Sequence, residues 1–385
     1  MNRVAVVGVG HSKFGDRRDV SLAELGFEAT RPAFEDAGLT PKDVGFLSVG
    51  MAGTWYDDFL PAVVVSEYSG MAGKGLMRCE AACASGSAAF AAAYSMIKSG
   101  QVDLAMALGV EKMIGVDPPT MTEVIGRAGN YLWEFHNFGM IFAGYYAFYA
   151  TQHMKKFGTT EKQLAQVAVK NHKYGSMNPK AHFQKPIVIE DVFSSRVVAW
   201  PLKVYDCCPI SDGAAAVILA SEKLTKSLTD SPVWVEAIGI SSDTSNSTQR
   251  SDFVGLSATV SAAKTAYTMA NLAPSRIDVA NVHDCFTIAE ILAYEDLGFC
   301  KKGEGGQMIQ DGQTELGGKI SVNLDGGLKA KGHPLGATGV SMIVGLTRQL
   351  RKEADKCQAP IRNGRALAHN VGGTGHYCYV TILGS

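Results

Sequence analysis

The stretch AGLTPKDVGFLSVG (Ala37–Gly50) lies without gaps on ANLAPSRIDVANVH (Ala270–His283), at a single offset of 233 residues (270 − 37). Ala37, Leu39 and Pro41 fall on Ala270, Leu272 and Pro274, while Val44 and Val49 fall on Ile277 and Val282. Each copy reads as the end of a helix, a proline turn and a strand. Upstream, VAVVGVG (Val4–Gly10) and VWVEAIGI (Val233–Ile240) are both β-rich runs that close around a glycine. Downstream, each copy holds a strand, a glycine-containing turn and a helix: MRCEAACASGSAAFAAAYSMIKSG in the first, ISVNLDGGLKAKGHPLGATGVSMIVGLTRQL in the second. The pattern predicts a duplicated α/β domain whose two sheets pack with helices between and outside them.

The segment after Cys83 carries no charge until Lys98 and is built of Ala, Ser, Gly and apolar residues on every side. A helix apolar all round is a buried helix, and Ala84, Gly86, Ala88 and Ala91 are small enough to let neighbouring backbones close in. Between Val116 and Pro201 the repeat is interrupted by a stretch rich in aromatics, His and Lys, which reads as a helical insertion. The first repeat resumes at SDGAAAVILASE (Ser211–Glu222), where AAAVIL reads as a buried strand entered through an Asp-Gly turn. The expected division is residues 1–116 plus 205–229, an inserted loop domain over 117–204, and a second half over 230–385.

With 385 residues, 46% of them hydrophobic and 19% charged, the chain has material for two or three packed domains and is not disordered. Lys plus Arg number 36 against 37 for Asp plus Glu, with no dense basic run, which argues against nucleic acid as a partner. The first residues meet His11, Lys13 and Asp16 too soon for a signal peptide. The longest apolar segment, Met140 to Ala150, falls short of the roughly 20 residues that cross a bilayer. A soluble, cytoplasmic protein is expected, with no membrane partner. Its eight cysteines are then free thiols, and without a CxxC or HExxH motif no metal site is expected.

Four constellations could do chemistry. Cys83 lies in CASG at a strand-to-helix junction, where the helix dipole and unpaired backbone N–H groups favour a thiolate. His283 and Cys285 lie in HDCF at the end of the strand that the repeat sets opposite Gly50, and ligand chemistry in α/β proteins gathers at carboxyl ends of strands. An ordinary thiol pKa near 8.5 lets Cys285 remove or return a proton at carbon. His333 lies in GGLKAKGHPLGATG, where Pro334 and the glycines hold its imidazole on a stiff loop. It can take the proton of Cys83 and then donate to a carbonyl oxygen. Backbone N–H groups near Gly372, in the turn HNVGGTGH, could bind an oxyanion, although a plain hairpin is the simpler reading. Neither GxxxxGK[ST] nor an acid-followed GxGxxG occurs, so nucleotide binding by those motifs is unsupported. Taken singly, Cys83, Cys285 and His333 each read as core or turn residues. Their company points to chemistry.

CASG at Cys83, SDGAAAVILASE at Ser211, GHPLGATG at Gly332 and the last glycine turn occur in the order of the thiolase superfamily, which the chain resembles over essentially its whole length. HDCF (His283–Phe286) resembles the subgroup typified by sterol carrier protein x-type thiolases and archaeal acetoacetyl-CoA thiolases. Two departures from the best-known thiolases stand out: HDCF replaces an Asn-Glu-Ala-Phe motif, and Asn370 in NVGG replaces a second cysteine. The resemblance implies that Cys285 takes over the lost base. It implies a five-layered αβαβα sandwich with an inserted loop domain, usually a homodimer or homotetramer. The implied substrates are acetyl-CoA and acetoacetyl-CoA, bound as coenzyme A thioesters across the loop domain, with no tightly bound cofactor. Catalysis by Cys83, His283, Cys285 and His333 follows, His283 and His333 holding the thioester oxygen and the N–H groups of Cys83 and Gly372 the tetrahedral oxyanion. Archaeal thiolases of this kind associate with HMG-CoA synthase through a small OB-fold protein carrying a zinc ribbon, which implies that partnership and a place in the mevalonate route to isoprenoids. A degradative 3-oxoacyl-CoA thiolase for longer chains and a non-catalytic acyl-CoA-binding scaffold stay open as alternatives.

Overall fold

A computed structural model describes residues 3–53 and 55–385. The first half contains β1 (Val4–His11), α1 (Leu22–Ala37), β2 (Phe46–Gly50), α2 (Pro61–Tyr68), β3 (Gly75–Cys79), α3 (Ser85–Lys98) and β4 (Leu104–Glu111). The insertion is mostly helical, with α4 (Pro118–Gly126), α5 (Phe142–Phe157), α6 (Glu161–Gly175) and α7 (Ile189–Ser194), followed by the small hairpin β5 (Val197–Ala199) and β6 (Leu202–Lys203). β7 (Gly213–Ser221) and α8 (Glu222–Leu228) end the first half. The second half repeats the order with β8 (Val233–Ser242), α9 (Ser257–Ala270), β9 (Val279–Asn281), α10 (Thr287–Asp296), α11 (Gly305–Gln310), β10 (Ser321–Val322), α12 (Leu335–Arg351), β11 (Arg365–Gly372) and β12 (Tyr377–Gly384).

The duplication is visible in the sheet. Strand order runs β10-β9-β11-β12-β8-β1-β7-β4-β2-β3. Replacing β3-β2-β4-β7-β1 by β10-β9-β11-β12-β8 maps one five-stranded half onto the other, with parallel and antiparallel neighbours preserved. Within the sheet, the described strands of the two halves join where β1 meets β8, at Ala5↔Trp234 and Val6↔Val233. The quoted repeat also holds at its turn: α1 ends on Gly38 and α9 on Asn271, both in the left-handed region at φ 63° and 51°, a helix stop that only Gly and Asn adopt readily.

Helix α1 covers the outer face of the first sheet, α9 that of the second, and α3 and α12 lie between the sheets. This gives the five layers. Strands β4 and β7 are covered on both faces, which is why they read as unbroken apolar runs. The Asp-Gly expected to form a turn into β7 does something else: the Asp212 carboxylate accepts the backbone N–H groups of Met113 (2.6 Å) and Ile114 (2.8 Å) and fixes the chain leaving β4.

The two central helices meet at their N-terminal ends, where side chains have no room. A Cβ on Gly86 would lie 2.6 Å from the carbonyl oxygen of Gly336, and one on Gly336 2.5 Å from that of Gly50. Helix α12 is buried nearly all round. Helix α3, expected to be buried on every side, leaves Ala88, Ala92 and Met96 half-buried and Ser95 exposed. Composition cannot distinguish a face buried within the chain from one the chain leaves open. That face adjoins β3, an edge strand whose Met77 is 47% exposed.

Candidate active site

Two helix entries and two strand ends converge between the sheets. Cys83 sits two residues before α3, and His333 two residues before α12, so they occupy equivalent places in the two repeats. Ala82, immediately before Cys83, is held at φ 49°. That conformation costs a non-glycine residue on the order of 1–3 kcal/mol and is seen where a turn must aim a functional side chain. His283 follows β9 by two residues, and Asn370 lies near the end of β11.

The Cys83 sulfur and one ring nitrogen each of His283 and His333 all lie within 4.8 Å of one another. The two imidazoles meet edge to face, with centroids 5.1 Å apart and planes at 81°. Their Nδ1 atoms are engaged, that of His283 with Asn370 Nδ2 at 3.2 Å and that of His333 with Thr338 Oγ1 at 2.7 Å. Both Nε2 atoms are buried and have no partner within the protein. These are the nitrogens left to face a substrate.

Cys285 is 6% exposed and close enough to Cys208 and Cys83 for their charges to act on its own titration. The chain at Cys285 is clamped from the insertion side, because the Cys208 N–H donates to the Cys285 carbonyl at 2.9 Å. Tyr146 of α5 stacks on Phe286 with ring centroids 4.6 Å apart. Its hydroxyl, buried without an oxygen or nitrogen partner, lies beside the Cys285 thiol. The insertion therefore roofs the site.

Burial dominates the electrostatics. It pushes the Cys83 thiol up to about 12 despite the backbone N–H groups of Gly373 and Cys83 itself, which favour the thiolate. The helix-dipole advantage expected from sequence does not win. Cys285 is raised well above the ordinary thiol range, again chiefly by burial. His333 is lowered to about 3, and His283 is lowered well below the ordinary value by burial and then by His333 and His369. Burial thus favours neutral thiols and neutral imidazoles in the resting site.

The N–H that favours the Cys83 thiolate is that of Gly373, the neighbour of Gly372. Gly372 closes β11, and a Cβ there would lie 2.1 Å from the Ala81 carbonyl oxygen, so its role is to let the hairpin press against the nucleophile turn. The segment forms a hairpin, with Gly372 paired to Tyr377.

Three further residues support the site. Asn370, fully buried, donates to the Cys83 carbonyl oxygen (3.1 Å) and to His283 Nδ1, and accepts from Ser87 Oγ (2.9 Å). The Asp284 carboxylate accepts the N–H groups of Leu328 (2.7 Å) and Lys329 (3.2 Å) and the Asn171 amide (2.7 Å). Asn171 in turn reaches Glu290, which also takes Lys170 and Asn323 in a buried network. The signal for Asn370 and Asp284 was their place inside the two motifs. Nothing in the sequence pointed to Asn171.

A Cys/His/His donor set of this spacing is of a kind that can hold a soft metal ion. Asn370 directs an amide N–H at the Nδ1 of its His283 member.

Comparison with known proteins agrees with this geometry. Residues 4–223 match the family described as "Thiolase, N-terminal domain", and residues 239–385 match "Thiolase C-terminal domain-like". The chain is 44% identical over 385 residues to "Acetyl-CoA acetyltransferase" of Methanothermobacter thermautotrophicus, covering 100% of both chains. It is 36% identical over 408 residues to "Sterol carrier protein 2" of Bos taurus, covering 96% of this chain and 70% of that one. A solved structure titled "Ltp2-ChsH2(DUF35) aldolase" superposes with a TM-score of 0.84 at 26% identity, covering 100% of this chain and 98% of that one. With matches spanning both repeats and a thiol between two imidazoles where they meet, the chain belongs to the thiolase family.

Proposed function

We propose that the protein is an acetyl-CoA C-acetyltransferase that condenses two molecules of acetyl-CoA to acetoacetyl-CoA and free CoA through an acyl-Cys83 intermediate. The observation that carries this reading is the meeting of the Cys83 sulfur with nitrogens of both His283 and His333 within 4.8 Å. The name of the 44% identical archaeal relative supports the acetyl substrate.

The chemistry runs in two halves. His333 takes the Cys83 proton as the sulfur attacks the thioester carbonyl, and the N–H groups of Cys83 and Gly372 receive the oxyanion. The CoA thiolate departs with the proton of Cys285, which is left as a thiolate while His333 stays protonated. Cys285 then removes a methyl proton from a second acetyl-CoA, whose oxygen is held by His283 and His333. The carbanion attacks the acetyl group on Cys83, and the released Cys83 thiolate recovers its proton from His333. Thiolysis is the reverse path. Coenzyme A thioesters are substrates in this scheme, and no other cofactor takes part. The roof formed by the insertion favours CoA lying across residues 117–204.

Condensation of two acetyl-CoA molecules is uphill, so the reading includes a consumer of acetoacetyl-CoA, HMG-CoA synthase of the mevalonate route, held nearby through a small OB-fold protein with a zinc ribbon. The solved neighbour named as Ltp2 with ChsH2(DUF35) supports a second protein on this fold. A homodimer or homotetramer is part of the proposal, and the open edge of β3 beside the half-buried face of α3 supports it.

The test is incubation with radiolabelled acetyl-CoA together with steady-state thiolysis over a series of 3-oxoacyl-CoA lengths. Label on wild type but not on Cys83→Ala, with fastest turnover of acetoacetyl-CoA, is the expected result. Turnover that rises with chain length would make it a degradative thiolase, and equal label on both proteins would leave a binding scaffold. Purification from the native source that yields this chain alone would count against the complex.

A further inference from the structure

The two imidazoles carry different hydrogen-bond partners on Nδ1, and the difference is chemical. Asn370 presents its amide to His283. The orientation of that amide is fixed by its surroundings: the Cys83 carbonyl oxygen at 3.1 Å can only accept, while the Ser87 hydroxyl at 2.9 Å can satisfy Oδ1. The group facing His283 Nδ1 at 3.2 Å is therefore the N–H donor. Nδ1 of His283 must accept, which leaves its proton on Nε2. His333 meets the opposite situation. The Thr338 hydroxyl donates to the Pro334 carbonyl at 2.8 Å, so Thr338 Oγ1 offers a lone pair to His333 Nδ1 at 2.7 Å. Nδ1 of His333 then carries the proton, and its Nε2 is a bare lone pair.

We infer that Asn370 and Thr338 are positioning residues that hold His283 and His333 in opposite tautomers, His283 as a proton-bearing donor and His333 as an empty acceptor. The inference rests on the catalytic reading of both histidines given above. It explains why both Nε2 atoms are left buried and unpartnered: one waits for a carbonyl oxygen, the other for a thiol proton. It also orders the reaction. Before acyl transfer, of the two imidazoles, His283 alone can donate to a thioester oxygen. Once Cys83 has given its proton to His333, both Nε2 atoms carry hydrogen, and the pocket for the enolate oxygen of the second acetyl-CoA is complete. The first half-reaction builds the site for the second. Asn370, standing where better-known relatives of this kind place a second cysteine, thus serves the histidine that comes with HDCF.

The experiment is nitrogen NMR of histidine-labelled enzyme, with His283→Ala and His333→Ala used for assignment, joined to separate assays of Cys83 acetylation and of condensation. In wild type, His283 should show a protonated Nε2 and His333 a protonated Nδ1. Asn370→Asp replaces the donor by an acceptor and should move the His283 proton to Nδ1. Condensation should then fall on the order of 10²–10³-fold, the loss typical of one oxyanion donor, and by more than Cys83 acetylation falls. Thr338→Val should release the His333 tautomer and slow acetylation instead. The same tautomer on both rings of the wild type overturns the inference, whether or not the variants fold, as does an unmoved proton in Asn370→Asp. Condensation undiminished in His283→Ala would sink the catalytic role of His283 and leave the tautomer result standing, so the two failures are distinguishable.

Discussion

The carboxylate of Asp284 accepts the backbone N–H of Leu328 at 2.7 Å, across 44 residues of sequence. It also accepts from Lys329, so the strand end carrying His283 and Cys285 is tied to the π-helical turn Gly327–Lys331 that leads into His333. Replacing Asp284 by Ala would strand two buried N–H groups and the Asn171 amide. At about 1–3 kcal/mol for each unsatisfied group, we expect a loss of about 3 kcal/mol or more in denaturant unfolding, and slower turnover in whatever protein remains folded. An unchanged midpoint would show that the tie is not needed.

Cys285→Ala separates the two halves of the reaction. The variant should still take label from acetyl-CoA onto Cys83 but condense at least about 10²-fold more slowly, the scale of a lost general base. Isotope exchange of the acetyl methyl hydrogens with solvent reads the same step directly. Exchange at the wild-type rate in the variant would move the base to another residue.

Gly339→Ala tests the contact between the central helices. The added Cβ would sit 2.3 Å from the Ser87 backbone nitrogen and 2.5 Å from Asn370 Oδ1. Helices closed in on both sides cannot part cheaply, and overpacking costs about 1–3 kcal/mol. We expect a lower melting temperature together with weakened condensation, because the displaced group is Asn370. A stability equal to that of wild type would mean that the helices yield.

Acid should unfold the protein through its buried histidines. His11, His333 and His369 are each lowered by burial to about 3 from an ordinary 6.5. Between those values the unfolded chain binds protons that the folded chain refuses, so stability is full above 6.5 and is lost as pH falls toward 3. Each group contributes a slope of about 1.4 kcal/mol per pH unit. Histidine NMR of the folded protein between pH 7 and pH 5 should find all three imidazoles neutral. A ring that gains its proton within that range while the protein stays folded would contradict the neutral burial of that residue.

Much of the architecture could be read from fourteen-residue windows, because a helix stop, a proline turn and a strand recur at one offset. Gly38 and Asn271 do the same conformational work with different side chains, so the repeat survives where identities do not. Cys83, His283 and His333 were legible because thiols and imidazoles at strand and helix ends are unusual in a core. Asn370 was visible there only in place of a cysteine, since a neutral amide in a glycine-rich turn declares its role through partners 287 and 87 residues away. The thiolate preference of Cys83 was misjudged for a simpler reason: a helix end acts over one turn, while desolvation acts on the whole buried group.

Cys83 and His333 stand at matching points of two copies of one design. A lone repeat would own the nucleophile or its proton acceptor, never both, and two identical repeats facing each other would present like against like. Reactivity here is a broken symmetry: the backbone supplies a pair of equal sockets, and unequal side chains in them give the pair a direction.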